Sequence, residues 1–535
     1  MKKIALLVFA IGLVKMQSAQ SITWATNIAP VLYNNCTTCH HTDGIAPFPL
    51  ISYLDAYQQR YGISSDITIR KMPPWPPDAT YTRLAHERLL SQSDIDLINT
   101  WVNQGAPSGD TTLAPPAPVY VNGSVIGTSN LTLTIPTYTV PANQTSDIYQ
   151  CFAIPTNLLQ DMYITEMEVV PGNPTIVHHV LVYQDTTASH QAAALDAASP
   201  GPGYVNFGGI GVNSSILVGG WVPGTLPEPL PANFGIKLYK NSYLVLQIHY
   251  PAGGNGKSDS TKINIKLASS VTRQVSLAPI LNHYTDLVNG PLHIPANTLD
   301  TFEEHYRLPA VDVSVLSVAP HCHLIGTSWL SYAVTTQNDT IPFIRIDNWN
   351  FHWQGFYQFR NILKVPKNSD LYAFATYDNT GNNPNNPNTP PQDVVLGEST
   401  TNEMMLVYFS YTLYQPGDEN IVLDTAALVD ITDTTSFVTG VNEASKPVVS
   451  TPQLYDAVPN PASDQTRISY FLPATSKVEL KIYDLSGRLV DEVNATNLIG
   501  FNNINYNTSK LQPATYLVSL LANGMVKTKQ LVVTK

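Results

Sequence analysis

Cysteine is scarce in this chain. Only four occur in 535 residues, and a secreted fold stapled mainly by disulfides would need many more. Charge is scarce as well: 28 Lys and Arg stand against 40 Asp and Glu, a net charge of −12. That balance lacks the basic surface a nucleic-acid binder requires. Beyond the first 20 residues there is no long apolar run, so no transmembrane segment is expected. What the chain does have is Thr, Asn, 41 Pro and 28 Tyr, a mixture suited to an extracellular, mainly β protein. Its length sets a prior of about three to four domains.

Residues 1–20 read as a signal peptide: Lys2 and Lys3, an apolar run from Ile4 to Val14, and small residues ending near Ala19. The run is too short to span a bilayer, and no cysteine follows it closely enough to suggest a lipid anchor at this end. Export is the expectation.

Composition then divides the chain. Residues 21–110 carry helical signals. Ile28, Val31 and Leu32 recur at helical spacing, and Ser91 with Asp94 suggests a capping box for a helix carrying Ile95, Ile98, Trp101 and Val102 and ending at Gly105. Residues 111–120, with Ala114-Pro115-Pro116-Ala117-Pro118, form a stiff linker. Short β-branched and alternating runs fill residues 121–285 and 286–430, enough for two β-sandwiches in series. A Thr- and Ser-rich linker, 431–452, leads to residues 453–535, where alternation in Val478-Glu479-Leu480-Lys481-Ile482 predicts a small β-sandwich. The fold class is thus multi-domain and mainly β, with one small helical domain. The Asn- and Pro-rich run from Asn379 to Pro391 reads as a long exposed loop.

In the last unit Pro459-Asn460-Pro461-Ala462, Ile482-Tyr483-Asp484-Leu485-Ser486-Gly487 and the tail Lys529 to Lys535 resemble the C-terminal sorting domain of the type IX secretion system. The resemblance implies an export address, with that secretion machinery as partner and an extracellular or cell-surface destination.

Cys36-Thr37-Thr38-Cys39-His40 has the spacing for covalent haem attachment. Two thiols one helical turn apart add to the haem vinyl groups, and the adjacent histidine reaches the iron. The alternative is a local disulfide followed by an incidental histidine. With haem, His40 is the proximal ligand and Met72, in Lys71-Met72-Pro73-Pro74-Trp75, the favoured sixth ligand. His86 and His41 compete with it, but His41 directly follows the proximal ligand and cannot easily reach the opposite face. The segment resembles small c-type cytochrome domains that carry an MPPW loop before a closing helix.

Further on stand His178-His179, His249, His321-Cys322-His323 and Met404. Strand alternation points His321 and His323 to one face and Cys322 to the other. Met404 is a soft donor suited to Cu(I) that can close a site with that pair. His178 and His179 share a metal only if the backbone bulges or a strand ends there, with His249 as third nitrogen. Three histidines suit copper or zinc equally, and scattered surface or core histidines are the bland alternative. His352 and Trp353 read as sandwich packing.

The flanks carry a resemblance that spacing alone does not. His178-His179 after Pro171-Gly172-Asn173, His249-Tyr250, Pro320-His321-Cys322-His323-Leu324-Ile325-Gly326 and Ser399-Thr400-Thr401-Asn402-Glu403-Met404 look like the copper type II, ascorbate-dependent monooxygenases, over about Ser146 to Tyr414. The resemblance implies two β-sandwich copper domains facing a cleft. It implies that His178, His179 and His249 hold an electron-transfer copper, and that His321, His323 and Met404 hold a catalytic one, with Met405 of the wrong parity. The implied chemistry is hydroxylation of an unactivated C–H bond of a small-molecule or peptide substrate with dioxygen. Two electrons come from ascorbate or another external reductant, and the fused haem suggests a path for their delivery.

This sequence departs from the family's peptide-amidating members. Their arginine two residues before the His-x-His pair is Ala319, and their asparagine two residues after the methionine is Leu406, while the tyrosine four residues after it is kept as Tyr408. A C-terminal glycine carboxylate is therefore a poor substrate expectation. Cys151 resembles a family cysteine with no partner in sight, and Cys322 reads as a packed strand residue. The alternative function is non-enzymatic: a surface electron-transfer or copper-binding protein.

Overall fold

The computed structural model describes residues 22–429 and 452–534, apart from 43, 121–123, 224, 352, 455–456, 458–459, 473–476, 486, 494–499 and 523. The expected signal peptide, nearly all of the 431–452 linker and His352 lie outside the described residues. The chain falls into two compact units that divide between Ser436 and Phe437.

The first unit begins with helices Ala29–Asn35, Tyr53–Thr68 and Gln92–Asn103. Ile95, Ile98, Trp101 and Val102 are buried on one face of the last, as their spacing requires. Ser91 caps that helix by accepting from the Asp94 N–H at 3.1 Å. The reciprocal box forms instead at Ser52 and Asp55, where each side chain accepts the other's backbone N–H.

Two sandwiches follow. In the first, strands Ile148–Pro155, Tyr243–Tyr250, His179–Asp185 and Ser215–Trp221 are neighbours in a five-stranded sheet. Alternation sends Leu244, Leu246, Ile248 and Tyr250 into the sandwich core together with Phe152, Val180 and Val182. The intervening positions, among them His249, are left on the opposite face. In the second, Val315, Val318, Trp329, Phe343 and Phe409 belong to the core between the Val313–His321 and Leu299–Arg307 sheets.

One strand belongs to both sandwiches. Residues 273–275 of Arg273–Asn282 run parallel to Phe234–Leu238 of the first, and residues 276–282 pair antiparallel with Leu406–Leu413 of the second. The result is a single eight-stranded sheet running from Leu131–Thr134 to Tyr357–Val365. The expected break at 285/286 lies just beyond this shared strand. At the joint Phe234, Val275, Leu316 and Ile362 form a small apolar cluster. Beside it Arg273 makes a two-pronged ion pair with Asp418 at 2.5 and 2.6 Å. Asp418 also accepts from Ser314 at 2.6 Å and from the Gln415 N–H at 2.9 Å.

The helical segment is tied to the second sandwich by the chain following its MPPW loop. The Trp75 ring meets Tyr357 edge-on at 5.6 Å, and Asp78 pairs with Arg345. Leu84 is fully buried in the second sandwich's core, and the Ala85 N–H donates to the Gln358 carbonyl at 2.8 Å.

The second unit is a small sandwich of a three-stranded and a four-stranded sheet. Leu480 and Ile482 point into its core, while Glu479 and Lys481 pair on the other face at 2.7 Å. No helix among the described residues is long and apolar enough to cross a membrane.

Burial raises the Asp418 carboxyl, but bonds from Arg273, Ser314 and the Gln415 N–H outweigh it and bring the group down to about 2. Asp418→Asn strands a buried guanidinium and is expected to cost about 3–5 kcal/mol, read as a lower thermal unfolding midpoint of the full chain. Because the folded carboxyl sits below its unfolded value, its stabilisation is present above about pH 4 and is lost as pH falls towards about 2. The variant should lack that component of acid sensitivity.

Candidate metal centres and the cavity between them

The first cluster forms because the strand begins at His179 rather than running through the doublet. His178 lies just before the ladder, where the strict face alternation does not apply, and its N–H donates to the His249 carbonyl at 2.9 Å. His179 pairs with His249 in register. One ring nitrogen from each of His178, His179 and His249 lies within 4.8 Å of the others, and the Nδ1 atoms of the doublet are 3.2 Å apart.

His249 is fully buried, its ring stacked on Tyr149 at 4.4 Å. Its Nδ1 has no hydrogen-bond partner among the described residues. A buried ring nitrogen is costly in that state unless it ligates something, so the donor set fits a metal ion. Burial first, then the neighbouring rings of His249 and His178, drive the His179 pKa well below its ordinary value. The imidazole is thereby kept in its neutral, ligating form.

The second cluster sits across from the first. His321 ends the Val313–His321 strand and His323 lies just beyond it. His321 Nδ1 contacts Gln354 Oε1 at 2.5 Å, and His323 Nδ1 contacts the Asn402 carbonyl at 3.1 Å. Both acceptors require a proton on Nδ1, which leaves each Nε2 lone pair free to ligate. Burial lowers the two groups to about 4 and about 3. Met404 lines the same cavity as both rings, and its carbonyl accepts from the Tyr377 hydroxyl at 2.6 Å. Two imidazoles and a thioether suit copper better than zinc.

Cys322 faces away, fully buried, its sulfur 3.1 Å from the Trp329 indole nitrogen. A Cβ on Gly326 would lie 2.2 Å from that sulfur, so the turn after the histidines admits only glycine. Met405 is buried in the sandwich core, on the opposite parity to Met404. Tyr408 lines the cavity in register with Ala319 and Pro279.

His179 of the first cluster and His321, His323 and Met404 of the second line one cavity of about 550 Å³. Phe351 spans the clusters: its ring stacks on His178 at 4.8 Å and meets His323 edge-on at 5.7 Å. A second strut is Asp147, 3.5 Å from His249 Nε2 and 2.5 Å from the Thr400 hydroxyl of the opposite sandwich.

Sequence reasoning missed Glu403, whose fully buried carboxylate accepts the N–H groups of His323 at 2.7 Å and Ile325 at 2.9 Å. It ties the histidine turn to the methionine loop. Its only signal was a lone carboxylate directly before two methionines. Gln354, Asn402 and Phe351 were missed as well, because ordinary polar and aromatic residues carry no mark of the ring they will contact.

In the helical segment Cys36 and Cys39 are both unpaired and form no disulfide with each other. His40 Nδ1 lies 3.0 Å from the Phe48 carbonyl, which leaves Nε2 as the ligating atom. Met72 follows the Tyr53–Thr68 helix, its N–H bonded to the Asp66 carbonyl at 3.2 Å. The His86 N–H is anchored on Asp424 at 3.1 Å, and His41 stacks on Tyr120 at 4.2 Å. Free thiols and an oriented imidazole fit covalent haem.

Residues 131–255 match the N-terminal domain of the copper type II ascorbate-dependent monooxygenases, and residues 292–424 match the C-terminal domain. Residues 456–534 match the secretion system C-terminal sorting domain. The chain is 23% identical over 299 residues to the putative DBH-like monooxygenase protein 2 of Homo sapiens, covering 52% of this chain and 56% of that protein. It is 22% identical over 256 residues to the tyramine beta-hydroxylase of Caenorhabditis briggsae, covering 44% and 42%. It thus spans about half the length of the curated relatives it matches. Among solved structures, a peptide-N(4)-(N-acetyl-beta-D-glucosaminyl) asparagine amidase aligns over 53% of this chain and 97% of its own at 12% identity. With a TM-score of 0.23, that likeness carries no argument.

Reconstituted protein should hold about two coppers per chain. His249→Ala and Met404→Leu should each lose one, from different sites, as read by metal analysis and the Cu(II) spin-resonance spectrum. Loss of both metals from either single substitution would show one joint site instead of two.

Proposed function

Residues 131–255 and 292–424 belong to the two domains of the copper type II ascorbate-dependent monooxygenases, and from that premise we propose that this protein hydroxylates a C–H bond of an organic substrate with dioxygen outside the cell. Its C-terminal sorting domain marks it for type IX export. The observation that carries the reading is that residues of both ligand clusters, His179 with His321, His323 and Met404, line one cavity, while the Phe351 ring lies against a histidine of each cluster.

In this reading His321, His323 and Met404 hold the catalytic copper, and His178, His179 and His249 the electron-transfer copper. Bound there, the pair supplies oxygen activation and the second electron. The chain's own part is positioning. Gln354 and Asn402 fix the tautomers and ring planes of the two catalytic histidines. Glu403 locks their turn against the methionine loop. Leu181, Phe356 and Leu406 give the cavity apolar walls, which order substrate and limit water at the reacting carbon.

Among the described residues the cavity lining contains no Lys or Arg, and Ala319 occupies the place where a carboxylate clamp would act. The polar handles are Tyr408, Gln247, Glu398 and His283, the last with a buried Nε2 that has no hydrogen-bond partner among the described residues. These favour a neutral or cationic small molecule over a peptide carboxylate.

A c-type haem would be held by Cys36 and Cys39, with His40 and Met72 offered to its iron, and would supply one-electron transfer toward the copper sites from ascorbate or another external donor. The free thiols and the fixed His40 ring support this.

Oxygen uptake matched one-to-one by hydroxylated product, across a panel of small neutral and amine substrates, tests the activity. Copper binding and haem reduction without any product on that panel would favour a plain electron carrier. In copper(II)-loaded protein held without oxygen, ferrous haem is expected to reoxidise as the cupric signal falls, and a haem that stays ferrous would end the electron-supply reading.

A further inference from the structure

The carboxylate of Asp147 divides its two oxygens between the sandwiches. Asp147 lies one residue before the strand Ile148–Pro155, in which Tyr149 pairs in register with His249. Both side chains reach that histidine. The Tyr149 ring stacks on the imidazole at 4.4 Å, and Asp147 Oδ1 lies 3.5 Å from its Nε2. The other ring nitrogen, Nδ1, is buried with no hydrogen-bond partner among the described residues, and it is the atom left to ligate. Asp147 Oδ2 turns instead to Thr400 of the second sandwich, accepting from its hydroxyl at 2.5 Å and from its N–H at 3.4 Å.

Thr400 stands in the loop between the strands Val394–Val395 and Leu406–Leu413. Backbone bonds close this loop on itself: Glu403 N–H to the Val395 carbonyl at 3.1 Å, Gly397 N–H to the Glu403 carbonyl at 3.1 Å, and Asn402 N–H to the Ser399 carbonyl at 2.8 Å. A segment tied in this way shifts as a piece. Three of its residues serve the second metal centre. The Asn402 carbonyl orients the His323 ring, Glu403 holds the His323 N–H, and Met404 lines the cavity beside both histidines. The loop meets the first sandwich again at Glu398, whose Oε1 would lie 3.2 Å from a Cβ added to Gly208.

Resting on the copper reading above, the geometry points to Asp147 as a positioning residue shared by the two metal centres: one oxygen orients His249, and the other, through Thr400, seats the loop that presents Met404. A carboxylate behind a ligating imidazole fixes the ring and raises its basicity, an effect of about 10–100-fold on metal affinity. Because the same group also holds the methionine loop, a change at either centre is felt at the other, and the influence on binding is reciprocal.

Two measurements on the full chain test this, and neither reads turnover. The first is competition for Cu(I) with a chelator in the Met404→Leu background, which keeps the histidine centre alone. There Asp147→Asn should weaken binding by about tenfold or more, whereas Thr400→Val leaves the carboxylate on His249 and should bind as its parent does. The second is X-ray absorption of the Cu(I)-loaded chain with Met404 in place, where the copper–sulfur component absent from Met404→Leu reports the thioether directly. Thr400→Val and Asp147→Asn should both diminish that component. Thr400→Ser keeps the hydroxyl and should retain it, so that a lost bond is told apart from a lost fold. A weakened histidine centre with the sulfur component intact in both variants would confine Asp147 to one centre and overturn the sharing. Unchanged Cu(I) affinity in Asp147→Asn would overturn its role at His249 as well. A wild-type chain with no copper–sulfur component would instead sink the copper reading on which the inference rests.

Discussion

The arrangement of this protein depends on a strand of 10 residues, Arg273–Asn282, that pairs with one sandwich at its start and with the other along the rest of its length. Two sandwiches joined by a flexible tether would sample many orientations, because an interface between separate domains permits relative motion by default. A continuous hydrogen-bonded ladder removes that freedom. The buried Arg273–Asp418 pair and the apolar cluster around Leu316 complete the joint. The outward faces of two sheets are thereby held opposite each other, and those faces carry the histidines.

Each cluster then solves a local problem in its own way. The first places three imidazoles together by starting a strand between two of them and stacking the third on Tyr149. The second ends a strand at His321, sets His323 two residues on, and recruits a distant loop through Glu403, whose bond to the His323 N–H spans 80 positions in sequence. Burial holds His179, His321 and His323 below their ordinary pKa values, so the clusters stand as neutral imidazoles near pH 7 and not as a patch of positive charge.

Much of this was legible beforehand, and the reasons are physical. Period-two alternation foretells the separation of His321 and His323 from Cys322 and of Met404 from Met405, and the structure keeps it although residues 322–323 lie just past one strand and 404–405 just before another. The His178-His179 doublet announced an irregularity because no regular strand could use both residues. The shared strand was not legible. Alternation tells which face a residue takes but not which neighbour its backbone will pair with, and Asp418 lies 145 residues from Arg273. The helix cap shows the same limit: the Ser91 side chain does cap its helix, yet the reciprocal geometry went to Ser52 and Asp55, which lacked a strong apolar stripe to draw attention to them.

Leu84 has a consequence of its own. It leaves the helical segment and is buried among residues of the second sandwich, so the two cannot part without exposing a core leucine to water. A carrier that visits its acceptor by diffusion depends on protein concentration and on ionic strength. A segment bolted in place by a core side chain depends on neither, and any group it held would be presented to the same neighbouring surface at all times.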